Sequence, residues 1–270
     1  MSSHQNQPDW DKMAEKFDIW LPQIAPVGEA LIAALQAQPG DKILDVASGT
    51  GEPALTLAQR MGNHISITGI DAAAGMVRVA QGKAKAARLS NLQFETMPAE
   101  HLSFKDNSFD KVLCRFGVML FQDSLQGLKE MHRVLKPGGR MAIAVWGPPE
   151  KMRTLYWMYH ALKDKLPDGL HPPLAKISSL GPEGVLADHL KRAGFVQHKI
   201  ELHTLEYSFP TFDAYWNATE ASGVIKQQFD ALSNADRKLF RDEIAQFAQE
   251  FVTEKGLAVP HEWWLAVAVK

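Results

Sequence analysis

The stretch Asp45-Val46-Ala47-Ser48-Gly49-Thr50-Gly51 joins a carboxylate to a glycine-rich turn. Glycines between a strand and a helix let a ligand approach the backbone where a side chain would block it. Asp71 lies twenty residues beyond Gly51. That spacing puts a second carboxylate at the end of the next strand, placed to accept hydrogen bonds from ribose hydroxyls. The chemistry implied is the binding of an adenosine-containing ligand. Gly49-Thr50-Gly51-Glu52-Pro53-Ala54 also fits the dinucleotide fingerprint in its G-x-G-x-x-A form. Three features point away from NAD. Asp45 closes the first strand, where it can help receive a cationic amino-acid tail. Glu52 and Pro53 put a negative charge and a missing N–H at the helix start, a poor arrangement for a pyrophosphate. The chain also ends in two predicted strands with a helical insertion between them, unlike a second mononucleotide-binding half.

The elements that must carry these residues follow from pattern. Ile43–Val46 reads as a short buried strand, and Pro53 opens a helix that runs to Met61-Gly62. Further strands are predicted at Ile65–Ile70, Leu92–Thr96, Phe109–Cys114 and Met141–Trp146. Helices are predicted over Ala74–Leu89 and from a cap at Asp123 to Leu135, with Pro137-Gly138-Gly139 turning the chain. Strands alternating with helices imply a parallel sheet. After Gly147-Pro148-Pro149 come an aromatic-rich helix, the loop Pro167–Pro173, a helix over Pro182–Ala193 and a strand over Phe195–Tyr207. A mostly helical stretch, Phe212 to Lys255, leads to a final strand, Glu262–Val269. The expectation is an α/β, Rossmann-like fold with a seven-stranded, mostly parallel sheet and helices on both faces. One domain spans 1–270, with a cofactor-binding core over 10–147. Helical insertions over 150–190 and 208–258 form a substrate lid.

Composition narrows the partners. The 270 residues carry 29 Lys+Arg against 31 Asp+Glu, a formal charge of −2. That gives no basic footprint for nucleic acid or an anionic membrane. A single cysteine, Cys114, excludes a disulfide scaffold and a cysteine-rich zinc module. The histidines show no metal-ligand spacing, so no metal is expected. No apolar run approaches the ~20 residues a bilayer requires, and the polar start, Met1–Trp10, is not a signal peptide. A cytoplasmic protein acting on a small molecule is expected, with no nucleic-acid partner and no membrane span.

Several ordered motifs together resemble a known family. Ile43-Leu44-Asp45-Val46-Ala47-Ser48-Gly49-Thr50-Gly51, Gly69-Ile70-Asp71, Ala99-Glu100, Asn107-Ser108-Phe109-Asp110 and Arg133-Val134-Leu135-Lys136-Pro137-Gly138-Gly139 resemble class I S-adenosylmethionine-dependent methyltransferases. The branch most similar is the small-molecule one that includes the ubiquinone/menaquinone-biosynthesis C-methyltransferases. The resemblance covers about residues 10–147 and implies S-adenosyl-L-methionine as cofactor. It implies that Asp45, Ala47, Gly49 and Gly51 line the methionine part, that Asp71 holds both ribose hydroxyls, and that Met76 packs on adenine. Ala99 and Glu100 would meet the adenine edge, and Cys114 and Arg115 would lie near the sulfonium. The pattern Trp10-Asp11-x-x-Ala14-x-x-Phe17-Asp18-x-Trp20 resembles the helix that closes over the cofactor. Two positions depart from the family. Ala47 stands where many members have glycine. Pro98 stands where many carry an aspartate that accepts from the adenine amino group, with Glu100 the available substitute.

For the acceptor side, Phe17, Trp20, Phe116, Trp146 and Tyr156 are the expected apolar wall, and His160 and His171 are candidates for a general base. Plainer roles stand beside these. Asp71 can be a helix cap, Met76 and Cys114 core, and Arg115 the partner of a surface carboxylate. Lys83, Lys85 and Arg88 can be a solvated face. The expected activity is methyl transfer to carbon, oxygen or nitrogen of a small, fairly apolar acceptor. The alternatives are a catalytically silent S-adenosylmethionine-binding module and an NAD(P)-dependent oxidoreductase.

Overall fold

Ile43 and Leu44 are consecutive in a strand and both wholly buried. Neighbouring strand residues point to opposite faces, so both faces of the sheet are covered there. The computed structural model describes residues 9–166, 170–223 and 225–270. Most of the polar start and part of the Pro167–Pro173 loop therefore lie outside the described residues. The strands are β1 Lys42–Val46, β2 Ser66–Asp71, β3 Leu92–Thr96, β4 Phe109–Arg115, β5 Leu135–Trp146, β6 Gln197–Phe209, β7 Val252–Thr253 and β8 Gly256–Val269. Their order is β3-β2-β1-β4-β5-β8-β6, with β7 paired to β8. β1 to β5 pair in parallel, while β8 runs antiparallel to β5 and β6. The eighth strand beyond the expected seven is β7, two residues that fold back on the start of β8.

Two boundaries differ from expectation for physical reasons. The Pro137-Gly138-Gly139 turn interrupts β5 without ending it. Phe109 pairs with Leu135 and Lys111 with Arg140, so the residues between loop out. Gly138 has φ 74° there, and backbone bonds to Lys270 pin the loop. β8 begins at Gly256 rather than Glu262. Pro260 weakens a strand reading because it cannot donate to a ladder. Here β8 has already lost β5, whose last partner is Trp263, so Pro260 needs only β6.

Helices Leu21–Leu35, Ala54–Met61, Ala74–Ala86 and Ser124–Val134 cover the sheet. Asp123 caps the last by accepting from the Gln126 N–H. The later helices pack on one another. Trp157, on the helix Arg153–Leu162, lies against Phe247 and Phe251, and Trp216 lies against Phe229 and Phe240. One continuous core runs from Ile43 through Trp146 to Phe240. Among the described residues no helix is long and apolar enough to cross a membrane.

Candidate functional site

Beyond β1 the chain turns sharply: Ala47, Gly49 and Gly51 have φ of 55°, 54° and 107°. At φ 107° Gly51 occupies a conformation that side-chain-bearing residues rarely adopt, so glycine is required there by the backbone. The turn is clipped to the end of β2. Gly49 N–H donates to Asp71 Oδ2 and Ala73 N–H to Asp71 Oδ1, both at 2.9 Å. Burial raises the Asp71 carboxyl above its ordinary value, against the opposing pull of those two N–H groups. Each oxygen retains a lone pair for a ligand.

Beneath this turn lies Asp45, wholly buried, with no side-chain partner for either carboxylate oxygen among the described residues and only the Ala54 backbone N–H near enough to favour its charge. Burial holds it well above the ordinary carboxylate range, although Arg115 pulls the other way. Arg115 makes no hydrogen bond or ion pair among the described residues, and burial pushes its guanidinium down from its usual value. Among the described residues no carboxylate forms an ion pair with it, although Asp45, Glu52 and Asp18 lie near enough to favour its charge.

The N-terminal segment is fastened over the turn. Asp11 accepts from Gly75 N–H at the start of the helix Ala74–Ala86. Asp18 accepts from Thr50 Oγ1 at 2.7 Å and pairs with Lys83 at 2.5 Å. Lys83 is therefore a tether rather than part of a solvated face.

A cavity of about 800 Å³ opens along the carboxyl edge of the parallel strands. Ala47, Gly49, Asp71, Met76, Ala99 and Glu100 line it from the β1–β3 side, and Arg115 and Phe116 from the end of β4. Phe17 and Trp20 contribute from the N-terminal segment, and Trp146 from the end of β5. Phe116 has φ 57°, a costly conformation for an aromatic residue, and its ring stacks on Trp146 with centroids 3.9 Å apart. The structure thus brings most of the sequence-predicted residues to one cavity.

Others lie elsewhere. Asp45, Gly51 and Cys114 sit behind the lining. A Cβ on Gly117, which lines the cavity, would stand 2.7 Å from the Cys114 sulfur. Burial pushes that thiol above its usual value, so it is an inert core group. Tyr156, His160 and His171 do not line the cavity. The helix Arg153–Leu162 presents Thr154, Leu155 and Met158 to it, and its Tyr156 and His160, one turn apart, share a different face with ring centroids 4.1 Å apart. His171 is held by the Leu166 carbonyl. Glu100 Oε1 accepts from Gln122 N–H at 2.7 Å, which commits one oxygen of the substitute for the missing aspartate.

Sequence reasoning missed Thr154, Tyr207 and His261, all in the lining. Tyr207 closes a predicted strand, which was a usable signal. His261 stood just before the predicted start of the last strand, hidden by Pro260. Among the described residues no cluster of His, Cys, Asp or Glu could hold a metal ion.

Comparison with known proteins places residues 8–164 on the profile of the ubiE/COQ5 methyltransferase family. The ubiquinone/menaquinone biosynthesis C-methyltransferase UbiE of Geotalea daltonii is 40% identical over 131 residues, 47% of this chain and 56% of that protein. The demethylmenaquinone methyltransferase of Staphylococcus epidermidis is 43% identical over 131 residues, 48% of this chain and 54% of that protein. The chain thus spans about half the length of the curated relatives it matches. Among solved structures, the YcgJ protein of Bacillus subtilis superposes with a TM-score of 0.65 at 18% identity, over 91% of this chain and 98% of that one. Phosphoethanolamine N-methyltransferase 2 of Haemonchus contortus superposes with 0.62 at 18% identity, over 96% and 57%. At such identities these structures establish the shared fold.

Proposed function

The chain belongs to the ubiE/COQ5 methyltransferase family, and on that footing we propose that it transfers a methyl group from S-adenosylmethionine to a small, largely apolar acceptor. The observation that carries this is a single cavity joining the Asp71-clipped turn to an aromatic wall, with the unpartnered Asp45 carboxylate beneath. A buried carboxylate without a partner is costly and suits a cationic ligand. Asp45 and the Ala47–Gly51 turn would receive the methionine part, Asp71 the ribose hydroxyls, and Met76 and Ala99 the adenine. The cofactor supplies an electrophilic methyl group. The protein's own work is to orient the acceptor and exclude water. Phe116 and Trp146 form a rigid face for a flat acceptor, and Phe17 and Trp20 close over it.

The insertions over 150–190 and 208–258 are proposed as the acceptor's enclosure. Met152, Thr154, Leu155, Met158 and Ile177 of the first and Thr219 of the second reach the cavity. Because one relative is named a ubiquinone/menaquinone biosynthesis C-methyltransferase and another a demethylmenaquinone methyltransferase, hydroquinones head the acceptor panel, followed by phenols and amines. The proposed setting is the cytoplasm, where a lone buried thiol such as Cys114 is ordinary.

Calorimetry with S-adenosylhomocysteine tests the cofactor half. Wild type binds, and Asp71→Ala, checked for fold by circular dichroism, loses about tenfold or more in affinity. Unchanged affinity in that variant would overturn the ribose assignment. Turnover is read separately, as S-adenosylhomocysteine formed across the acceptor panel. Binding with no turnover on any acceptor would leave a silent cofactor-binding module.

A further inference from the structure

His261 is 2% exposed, and its Nδ1 lies 3.0 Å from the Val259 carbonyl oxygen. A carbonyl oxygen only accepts, so Nδ1 carries the ring hydrogen. Across the ring, the backbone N–H of Thr154 donates to Nε2 at 3.3 Å. A backbone N–H only donates, so Nε2 carries none. Two obligate partners therefore select one neutral tautomer. Burial supports it by lowering the imidazole to about 4, with the nearby Arg153 charge acting in the same direction. Thr154 Oγ1 lies 2.9 Å from the same Nε2, which has no hydrogen to offer. In this shorter contact the threonine hydroxyl is therefore the donor, sharing the one Nε2 lone pair with the longer bond from its own backbone N–H, and its only hydrogen is turned to the ring. Its oxygen is left as an acceptor, in a residue that lines the cavity. Around the pair the wall is aromatic: Tyr207 and Trp146 rings stand 4.3 and 6.1 Å from that of His261.

Resting on the reading of this cavity as the acceptor's site, we propose that Thr154, oriented by His261 and the Val259 carbonyl, selects aromatic acceptors that present a neutral hydroxyl to it. A ring hydroxyl satisfies the threonine oxygen. A methyl ether or a ring carbonyl at the same place sets lone pair against lone pair and leaves that oxygen unpaired. Thr154 is the specificity-determining group, and His261 a positioning residue acting through it.

The test uses the full chain saturated with S-adenosylhomocysteine, whose own binding is measured first, so a failure of the cofactor reading shows separately. Calorimetry then compares 2-naphthol with 2-methoxynaphthalene, which differ in the donor at one position. Wild type prefers the naphthol by about tenfold or more. The preference collapses toward unity in Thr154→Val and in His261→Phe, where the freed hydroxyl can donate to the ether. It persists in Thr154→Ser, which keeps the hydroxyl and controls for folding. Nitrogen-15 spectra of labelled histidine should show the Nδ1–H tautomer in wild type. A preference near unity in wild type, one unaltered in Thr154→Val, no binding of either probe, or a protonated Nε2 would each overturn the proposal.

Discussion

Asp45 costs the ligand-free protein stability in a way that fits a binding role. Its carboxyl is raised above the ordinary value by burial, which outweighs the attraction of Arg115. A raised carboxyl contributes stability that is fully present below the unfolded value near ~4 and is lost as pH rises through the folded one. Asp45→Asn removes that titration. The cofactor-free variant should match wild type in denaturant titrations at about pH 3 and exceed it increasingly above about pH 4. With S-adenosylhomocysteine present the order should reverse, because the ligand's cation loses its counter-charge. Equal stability of the two proteins across the whole range would remove the basis for Asp45 as an unpartnered acid. Asp71 differs: its two oxygens already hold the turn through Gly49 and Ala73. It fastens the turn rather than capping the helix Ala74–Ala86, whose N-cap is Ala73 with no side-chain cap bond, and a free lone pair on each oxygen keeps this compatible with the proposed ribose role.

The N-terminal segment, the helix Trp10–Met13 and the turn Phe17–Trp20, lies over the glycine turn proposed to receive the cofactor. It is held by Asp11 on Gly75, by Asp18 on Thr50 and Lys83, by apolar contacts of Trp10, Phe17 and Met76, and by the Trp20 ring on Tyr207 and Phe209. Gly75 is needed here, since a Cβ would meet the Asp11 backbone oxygen at 2.8 Å. Asp18 and Lys83 are partly exposed, so their pair adds little to global stability. Asp18→Ala should therefore leave the unfolding midpoint nearly unchanged while speeding dissociation of S-adenosylhomocysteine by several-fold, measured by stopped-flow tryptophan fluorescence. An unchanged off-rate would mean that the segment does not retain the cofactor. The helix Arg153–Leu162 shows the same economy. Its phase gives Thr154 and Met158 to the cavity and turns Tyr156 and His160 away.

Across the whole molecule, the parallel half and the inserted helices share one core, and the cavity takes residues from both. A ligand filling it should stabilise the entire fold rather than one part. With S-adenosylhomocysteine at about 100 times its Kd the expected gain is ~2.7 kcal/mol. A single thermal transition should move upward by several degrees in scanning calorimetry. Two transitions, of which only one moves, would show that the insertions unfold independently of the cofactor half.

The turn at Gly49 and Gly51, its link to Asp71, and the alternation of strands and helices were legible because each depends on local chemistry. Glycine permits positive φ, proline opens a helix, and a buried parallel strand reads as an unbroken apolar run. The aromatic wall was legible in part, because Trp146 closes a predicted strand and Phe116 lies two residues beyond another. Thr154, Tyr207 and His261 were not identified, for a different reason. They come from a helix, β6 and β8, and meet only because β8 inserts antiparallel between β5 and β6. The tautomer of His261 depends on a carbonyl two residues away and on an N–H from 107 residues earlier. By itself, then, the sequence determined the cofactor half, whose parts are neighbours along the chain. Only the tertiary structure decided which polar groups line the cavity, because helix phase and strand pairing, not residue type, set the direction of a side chain.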